Sequence, residues 1–401
     1  MEERDLRLLE HTAIRYETPL DYRALREMES SGLIYEDSYP VIDDIVRLKK
    51  DAGRYGLSDR TKFKLSEVIS EQSKVKTAVE RYASLVEKYG IKIVSRQDKD
   101  YPFSWKELSG MPPLFFARGD TSVLSGITYN GAAAIVGSRD AGRYSLYATD
   151  EFSSKLSSKG AAIVSGMALG IDRKAHEACL NAGGKTVAVI PGGADVIYPY
   201  KNRDIYERIC NEGVVITELP PGQEVLKQYF PSRNRLISAL SDVCLIMEAG
   251  IYSGTLHTAS FAAAQGRDVF VLPNSIYADN SLGGLLLLRD GAEVLIDPDT
   301  VYERIMTEVS NRRVLLNEHD NKEPDRETLL HMARSSPDKL NESQWQSIVC
   351  DEISEKPRNI DELCRSLGIP FSYLSSVVTG LETSGRIIND RGKYVLTING
   401  R

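Results

Sequence analysis

The chain has 401 residues, 42% hydrophobic and 27% charged, a balance that suits about two to four packed domains. Its formal net charge of −7 excludes a uniformly basic protein, so any nucleic-acid contact must come from a local cationic patch. No apolar run approaches the roughly 20 residues of a spanning helix. The charged start, Met1-Glu2-Glu3-Arg4-Asp5, does not read as a signal peptide, and five scattered cysteines with no CxxC pair predict reduced thiols in a cytoplasm.

Residues 1–128 predict a mainly helical N-terminal region that ends in an extended connector. The clearest helix covers 74–89, where Val75, Val79, Tyr82, Val86 and Tyr89 recur at spacings of three and four. Ile91-Lys92-Ile93-Val94 reads as a short strand, and Pro102, Pro112 and Pro113 fit extended backbone.

From Ala132 the texture changes. Short apolar runs at 132–136, 161–164, 186–190, 214–216, 243–247, 269–272 and 293–296 alternate with helical stretches such as 145–158, 172–181 and 254–265. Strands buried on both faces with helices between them predict a parallel sheet. Residues 129–308 therefore read as a Rossmann-like, doubly wound α/β core with a mostly parallel sheet. Residues 309–341 read as a charged linker with one short helix near 327–333. Residues 342–401 read as three short helices and a hairpin around Gly392, a winged-helix-like domain.

Ligands bind an open parallel sheet at the carboxyl ends of its strands. There the chain places Gly137-Ser138-Arg139, Ser165-Gly166, Pro191-Gly192-Gly193 and Ser253-Gly254-Thr255. Glycines admit close backbone approach, and the helices that follow favour anions. Arg139, Arg143, Arg173, Lys174, Lys185, Lys201, Arg203, Arg233 and Arg235 fall in or beside these loops. They predict a cationic strip for a row of phosphates, with affinity that falls steeply with salt. Asn234, between two arginines, can donate to a phosphate or cap a helix. There is no GxxxxGK[ST] and no GxGxxG with its acidic partner, so no nucleotide cofactor is expected. The five histidines show no metal-ligand spacing, and Ser165 lies outside a GxSxG elbow. His176 reads as a buried, hydrogen-bonded residue that orders a loop.

These runs resemble one family. Ala134-Ile135-Val136-Gly137-Ser138-Arg139, then 163–172 with Ala175-His176, then Phe230-Pro231-Ser232-Arg233-Asn234-Arg235 and Ser253-Gly254-Thr255 follow, in order, the signatures of DprA/Smf DNA-processing proteins. Pro191 stands where that family usually has glycine. The resemblance implies single-stranded DNA binding without catalysis, a homodimer, and loading of a RecA-type recombinase in transformation or recombination. Carried over by motif, Arg139 and Lys185 would contact the strand, with Arg233 and Arg235 beside them. The competing readings are a phosphoribohydrolase-like enzyme and a small-nucleotide sensor. The enzyme needs Gly-Gly-x-Gly-Thr-x-x-Glu, whereas here Ser253-Gly254-Thr255 runs into Leu256-His257-Thr258.

Overall fold

In the computed structural model, which describes residues 1–34, 39–278, 280–320, 329, 330, 333, 340, 342–390 and 392–397, the apolar runs become the strands of one sheet. Five helices come first: α1 (Glu3–Glu17), α2 (Tyr22–Ser30), α3 (Ile42–Asp51), α4 (Asp59–Ser70) and α5 (Gln72–Tyr89). Then follow β1 (Lys92–Ser95), α6 (Phe103–Lys106), β2 (Leu114–Gly119), α7 (Ser122–Asn130), β3 (Ala132–Gly137), α8 (Arg143–Ser158), β4 (Ala162–Ser165), α9 (Ile171–Asn181) and β5 (Thr186–Val189). The series ends with α10 (Arg203–Glu212), β6 (Val214–Thr217), α11 (Tyr229–Ala239), β7 (Val243–Glu248), α12 (Thr255–Ala264), β8 (Asp268–Val271), α13 (Leu282–Arg289), β9 (Glu293–Val294) and α14 (Pro298–Asp320).

The sheet has nine strands in the order β1-β2-β6-β5-β4-β3-β7-β8-β9. From β6 to β9 every neighbour is parallel, while β2 runs antiparallel to both β1 and β6. The chain winds outward from β3 to β6, then returns to the other side of β3 for β7, which makes the β3–β7 border the topological switch point. Alternate residues of β3 enter different cores. Ala132, Ala134 and Val136 pack with Leu236, Ile237 and Ala259, whereas Ala133 and Ile135 pack with Phe152, Leu156 and Ala175. Small alanines on this central strand let helices close in from both faces.

The short strand expected at 91–94 becomes β1, and the stretch expected to be an extended connector supplies a second strand of this sheet, β2. Leu114, Phe115, Phe116 and Ala117 are all buried, Phe115 in the central core and Phe116 against the N-terminal helices. With both faces covered, β2 shows no period-two signal, and its prolines dominate the sequence reading. At the other margin, β9 has both residues exposed, and Val294 and Ile296 keep 47% and 80% of their surface.

The expected linker differs as well. Its first part, 309–320, continues α14, where Val309 is buried and Arg312 donates to Ile127 O and Thr128 O at 3.1 Å and pairs with buried Asp242. Residues 321–328, 331–332, 334–339 and 341 lie outside the described residues. Of the helix expected near 327–333, Leu329 and Ala333 are helical and buried.

The chain divides into two units, Met1–Val314 and Leu315–Arg401. The second has its own core of Leu329, Ala333, Trp345, Ile348, Leu363, Leu374, Val378 and Leu381. Helices Glu342–Glu355, Ile360–Leu367 and Phe371–Thr383 precede the two-stranded hairpin Ile387–Asp390/Lys393–Leu396, and an isolated antiparallel bridge joins Arg358 to Tyr394. This is the winged-helix arrangement.

Candidate functional site

Strand ends at the switch point build a pocket of about 740 Å³. β3 delivers Gly137, Ser138, Arg139 and Asp140, and the loop between β7 and α12 delivers Gly250 to Gly254. α11 adds Phe230, Arg233 and Asn234, and α12 begins at the pocket wall with Thr255. Asn280 closes one side, its Nδ2 donating to Asp140 O at 3.2 Å and reaching Ser138 Oγ at 3.5 Å. Asn234 Nδ2 donates to Gly254 O at 3.3 Å, and Ser253 Oγ accepts from Thr255 N at 3.2 Å. Gly170 holds the β3 loop from behind at φ +74, where a Cβ would also collide with the carbonyl oxygens of Ser138 and Arg139.

A buried pair forms the pocket floor. Asp172 Oδ2 accepts from Gly166 N at 3.2 Å and Ala168 N at 3.3 Å. Arg233 Nη1 donates to Gly166 O and, at 2.6 Å, to Val189 O. Burial pulls Arg233 down to about 10 and pushes Asp172 up, and the attraction between the two charges opposes both shifts. Met167, between Gly166 and Ala168 in the chain, has φ 59, a conformation that costs about 1–3 kcal/mol in a side-chain-bearing residue. Asn202 Nδ2 holds it by donating to Met167 O at 2.7 Å and Ala168 O at 3.2 Å.

A smaller cavity of about 60 Å³ adjoins the pocket and shares Arg139, Ala168 and Phe230 with it. Its walls are Met167, Leu169, Pro191, Tyr198 and Pro199, so the unusual proline supplies apolar surface here. The Phe230 and Tyr198 rings meet edge to face at 6.0 Å, and the Arg139 guanidinium lies 5.2 Å from the Phe230 centroid.

The structure brings together Gly137, Ser138, Arg139, Arg233, Asn234, Ser253, Gly254 and Thr255, and it parts the remaining expected contacts. Gly166 borders the smaller cavity. Ser165 is fully buried, its Oγ donating to Ile135 O at 2.6 Å. Lys185 immediately precedes β5, so it occupies the opposite edge of the sheet, where its Nζ donates to Glu212 O at 3.1 Å. Arg235 points away from the pocket and pairs with Glu218. The expected strip is also broken up by partners: Arg173 with Asp204 at 2.6 Å, Lys174 with Asp150 at 2.6 Å and Arg203 with Glu207 at 2.7 Å. Arg139 is the exposed cation of the lining, beside the carboxylates Asp140 and Asp172.

His176 is buried, with Nδ1 at 2.6 Å from Thr186 Oγ1. The Thr186 hydroxyl donates to Ile163 O, so Nδ1 carries the hydrogen, and burial pushes the ring down to about 3 and keeps it neutral. Sequence reasoning missed Tyr252, Tyr198, Asp140 and Asn280. A large aromatic between Gly250 and Ser253, in a strand-end loop, was the available signal for Tyr252.

The family model described as DNA recombination-mediator protein A matches residues 92–306, more than half of the chain, and so takes in β1 and β2 with the core. A second, described as the DprA winged helix domain, matches residues 333–393. Protein Smf of Synechocystis sp. is 40% identical over 199 residues, 50% of this chain and 50% of its own length. DNA processing protein DprA of Bacillus subtilis is 32% identical over 246 residues, 61% of this chain and 82% of its own. The X-ray structure of DNA processing protein A from Streptococcus pneumoniae superimposes with a TM-score of 0.54 at 29% identity, covering 70% of this chain and 96% of that one.

Proposed function

The chain belongs to the DNA recombination-mediator protein A family, and from that premise we propose that it binds single-stranded DNA in the pocket at the β3–β7 border. The observation that carries this reading is Arg139, an exposed guanidinium over Phe230 at the mouth of an open, glycine-lined pocket. A phosphate can meet the guanidinium while an unpaired base meets the aromatic wall. Bases inside a duplex are stacked on one another and offer no face to that wall. The protein acts by binding: the hydroxyl of Ser165 and the ring of His176 are both buried and engaged in the fold. We further propose that it protects single strands and loads a RecA-type recombinase on them in transformation or recombination, as its family's description as a recombination mediator suggests. Five unbonded cysteines support a reducing, cytoplasmic setting, and exposed Val294 and Ile296 at the β9 margin support pairing of two copies.

Fluorescence anisotropy of a labelled single strand against the matching duplex tests the reading. The parent should favour the single strand, and Arg139→Ala should weaken it about tenfold, one strong charge-assisted contact. Lys185→Ala, at the far edge, should change affinity by less than about twofold. Equal binding of duplex, or an Arg139→Ala variant that binds like the parent, removes the site from this pocket.

A further inference from the structure

Charge is spread unevenly through the N-terminal helices, far from the strand-end loops in sequence. Residues 1–46 carry twelve Asp and Glu against five Arg, whereas residues 47–64 carry seven Lys and Arg against two Asp. The basic stretch forms one helical hairpin: the end of α3, the loop at 52–58 and the start of α4. Ile42, Ile45, Ala52, Leu57, Leu65 and Val68 enter the N-terminal core and fix which side of the hairpin is buried. Arg47, Lys49, Lys50 and Arg60 are left exposed.

Two of the other cations serve the fold. Lys64 is buried and holds Asp21 at 2.6 Å, and Lys62 lies 3.4 Å from Asp59. Among the described residues, Arg47, Lys49, Lys50 and Arg60 form no ion pair, and Asp21, the carboxylate that feels Arg60, is already held by Lys64. The start of α4 is itself closed to an anion. Glu27 accepts from Ser58 N at 2.5 Å and Thr61 Oγ1 at 2.6 Å, and Ser58 Oγ accepts from Thr61 N at 3.3 Å. An anion that meets this hairpin must meet its side chains.

The cations form an array rather than a cage. Arg47 and Lys50 stand three residues apart on one face of α3, about 4.5 Å along its axis. Lys49 shares the last turn of α3 with Lys50, and Arg60 adds the first turn of α4. A Cβ added at Gly53 in the loop would meet nothing within 4 Å, so the hairpin end is open to approach. Tyr55 and Phe63, 43% and 62% exposed, add apolar surface that can lie along sugars. The stretch 47–64 holds no Asn or Gln for pairing with adenine. Such a surface favours the densest row of phosphates. A duplex carries one charge per about 1.7 Å of axis, twice the density of one strand.

We propose that the end of the α3–α4 hairpin is a second nucleic-acid site, which takes the phosphate backbone of duplex DNA without reading its sequence. It is distinct from the pocket that receives the single strand. Four phosphates neutralised on a duplex give a slope of about −3.6 in log affinity against log salt.

The test uses the full chain and blunt duplexes of about twenty base pairs in two unrelated sequences, titrated by anisotropy between about 25 and 200 mM salt. The two duplexes should bind within about twofold of each other. Arg47→Gln with Lys50→Gln should make the slope shallower by about 1.8 and weaken duplex binding about tenfold at the lowest salt. Glutamine keeps the helix, so the thermal melt should match the parent. The pair Arg47→Lys with Lys50→Arg, which keeps both charges, should stay within about twofold of the parent. The glutamine variant should also bind a single strand within about twofold of the parent, while Arg139→Ala leaves the duplex unaffected. An unchanged duplex affinity in the glutamine variant overturns the proposal, as does an equal loss on the single strand. Duplex binding that falls with Arg139→Ala overturns it too, because the pocket then holds the duplex. A parent that binds the single strand but no duplex at the lowest salt overturns the hairpin site and leaves the pocket standing; the reverse result sinks the single-strand reading alone.

Discussion

Arg233 and Arg235 are two residues apart on α11, about 200° around the helix, and they serve opposite sides of it. Arg233 turns inward and ties the β4 and β5 ends together, while Arg235 pairs with Glu218. Replacing Arg233 with Met should leave two carbonyls and the Asp172 carboxylate without their buried partner. The expected loss is about 3–5 kcal/mol in denaturant unfolding, with weakened strand binding as a secondary effect of a loosened loop. An equally stable Arg233→Met variant would return this residue to the ligand. Arg139 was legible in the sequence because it lies three residues past the end of an apolar run, and the edge it occupies comes from strand direction alone. Lys185 was misplaced for the converse reason: one residue before a strand lies a full strand length from one residue after it.

At the scale of elements, two neutral histidines fasten helices to their neighbours. His176 of α9 bonds Thr186 at the start of β5, and His11 of α1 lies 3.3 Å from Pro40 O and meets the Tyr39 ring edge-on at 5.4 Å. Burial pushes both down to about 3, from 6.5 when free. The unfolded chain therefore binds more protons than the folded one between these values, and stability rises with pH across that window. Acidification from pH 6.5 towards 3 should cost up to about 1.4 kcal/mol per pH unit for each histidine. Thermal melts across this range should show the decline, and His176→Gln should reduce its slope; a flat profile contradicts the burial. The parallel strands were legible because each is a short apolar run bounded by turns. β2 was not, since a periodicity carries no direction and prolines precede it. Its antiparallel course follows from pairing with β1, a partner that the sequence separates from it by a polar stretch and α6.

At the scale of the whole molecule, the two units have separate cores. In the second unit the helix Phe371–Thr383, in the position a winged helix uses to read a groove, carries no Lys or Arg. Removing residues 315–401 should therefore leave single-strand affinity within about threefold, because the proposed strand-binding pocket lies in the first unit. A larger loss would assign strand contacts to the winged helix. The division into a sheet core and a helical tail was legible from composition. The boundary was not, because α14 runs on through polar sequence that reads as linker, held by Arg312 on Asp242.

The two margins of the sheet differ. β1 is buried along Ile93, Val94 and Ser95 beneath the N-terminal helices, whereas β9 lies open. A ribbon sealed at one end and bare at the other can join a like ribbon once, bare end to bare end, and the join consumes the only reactive margin. Such an arrangement terminates itself. Growth along the sheet into a fibre is closed off by geometry.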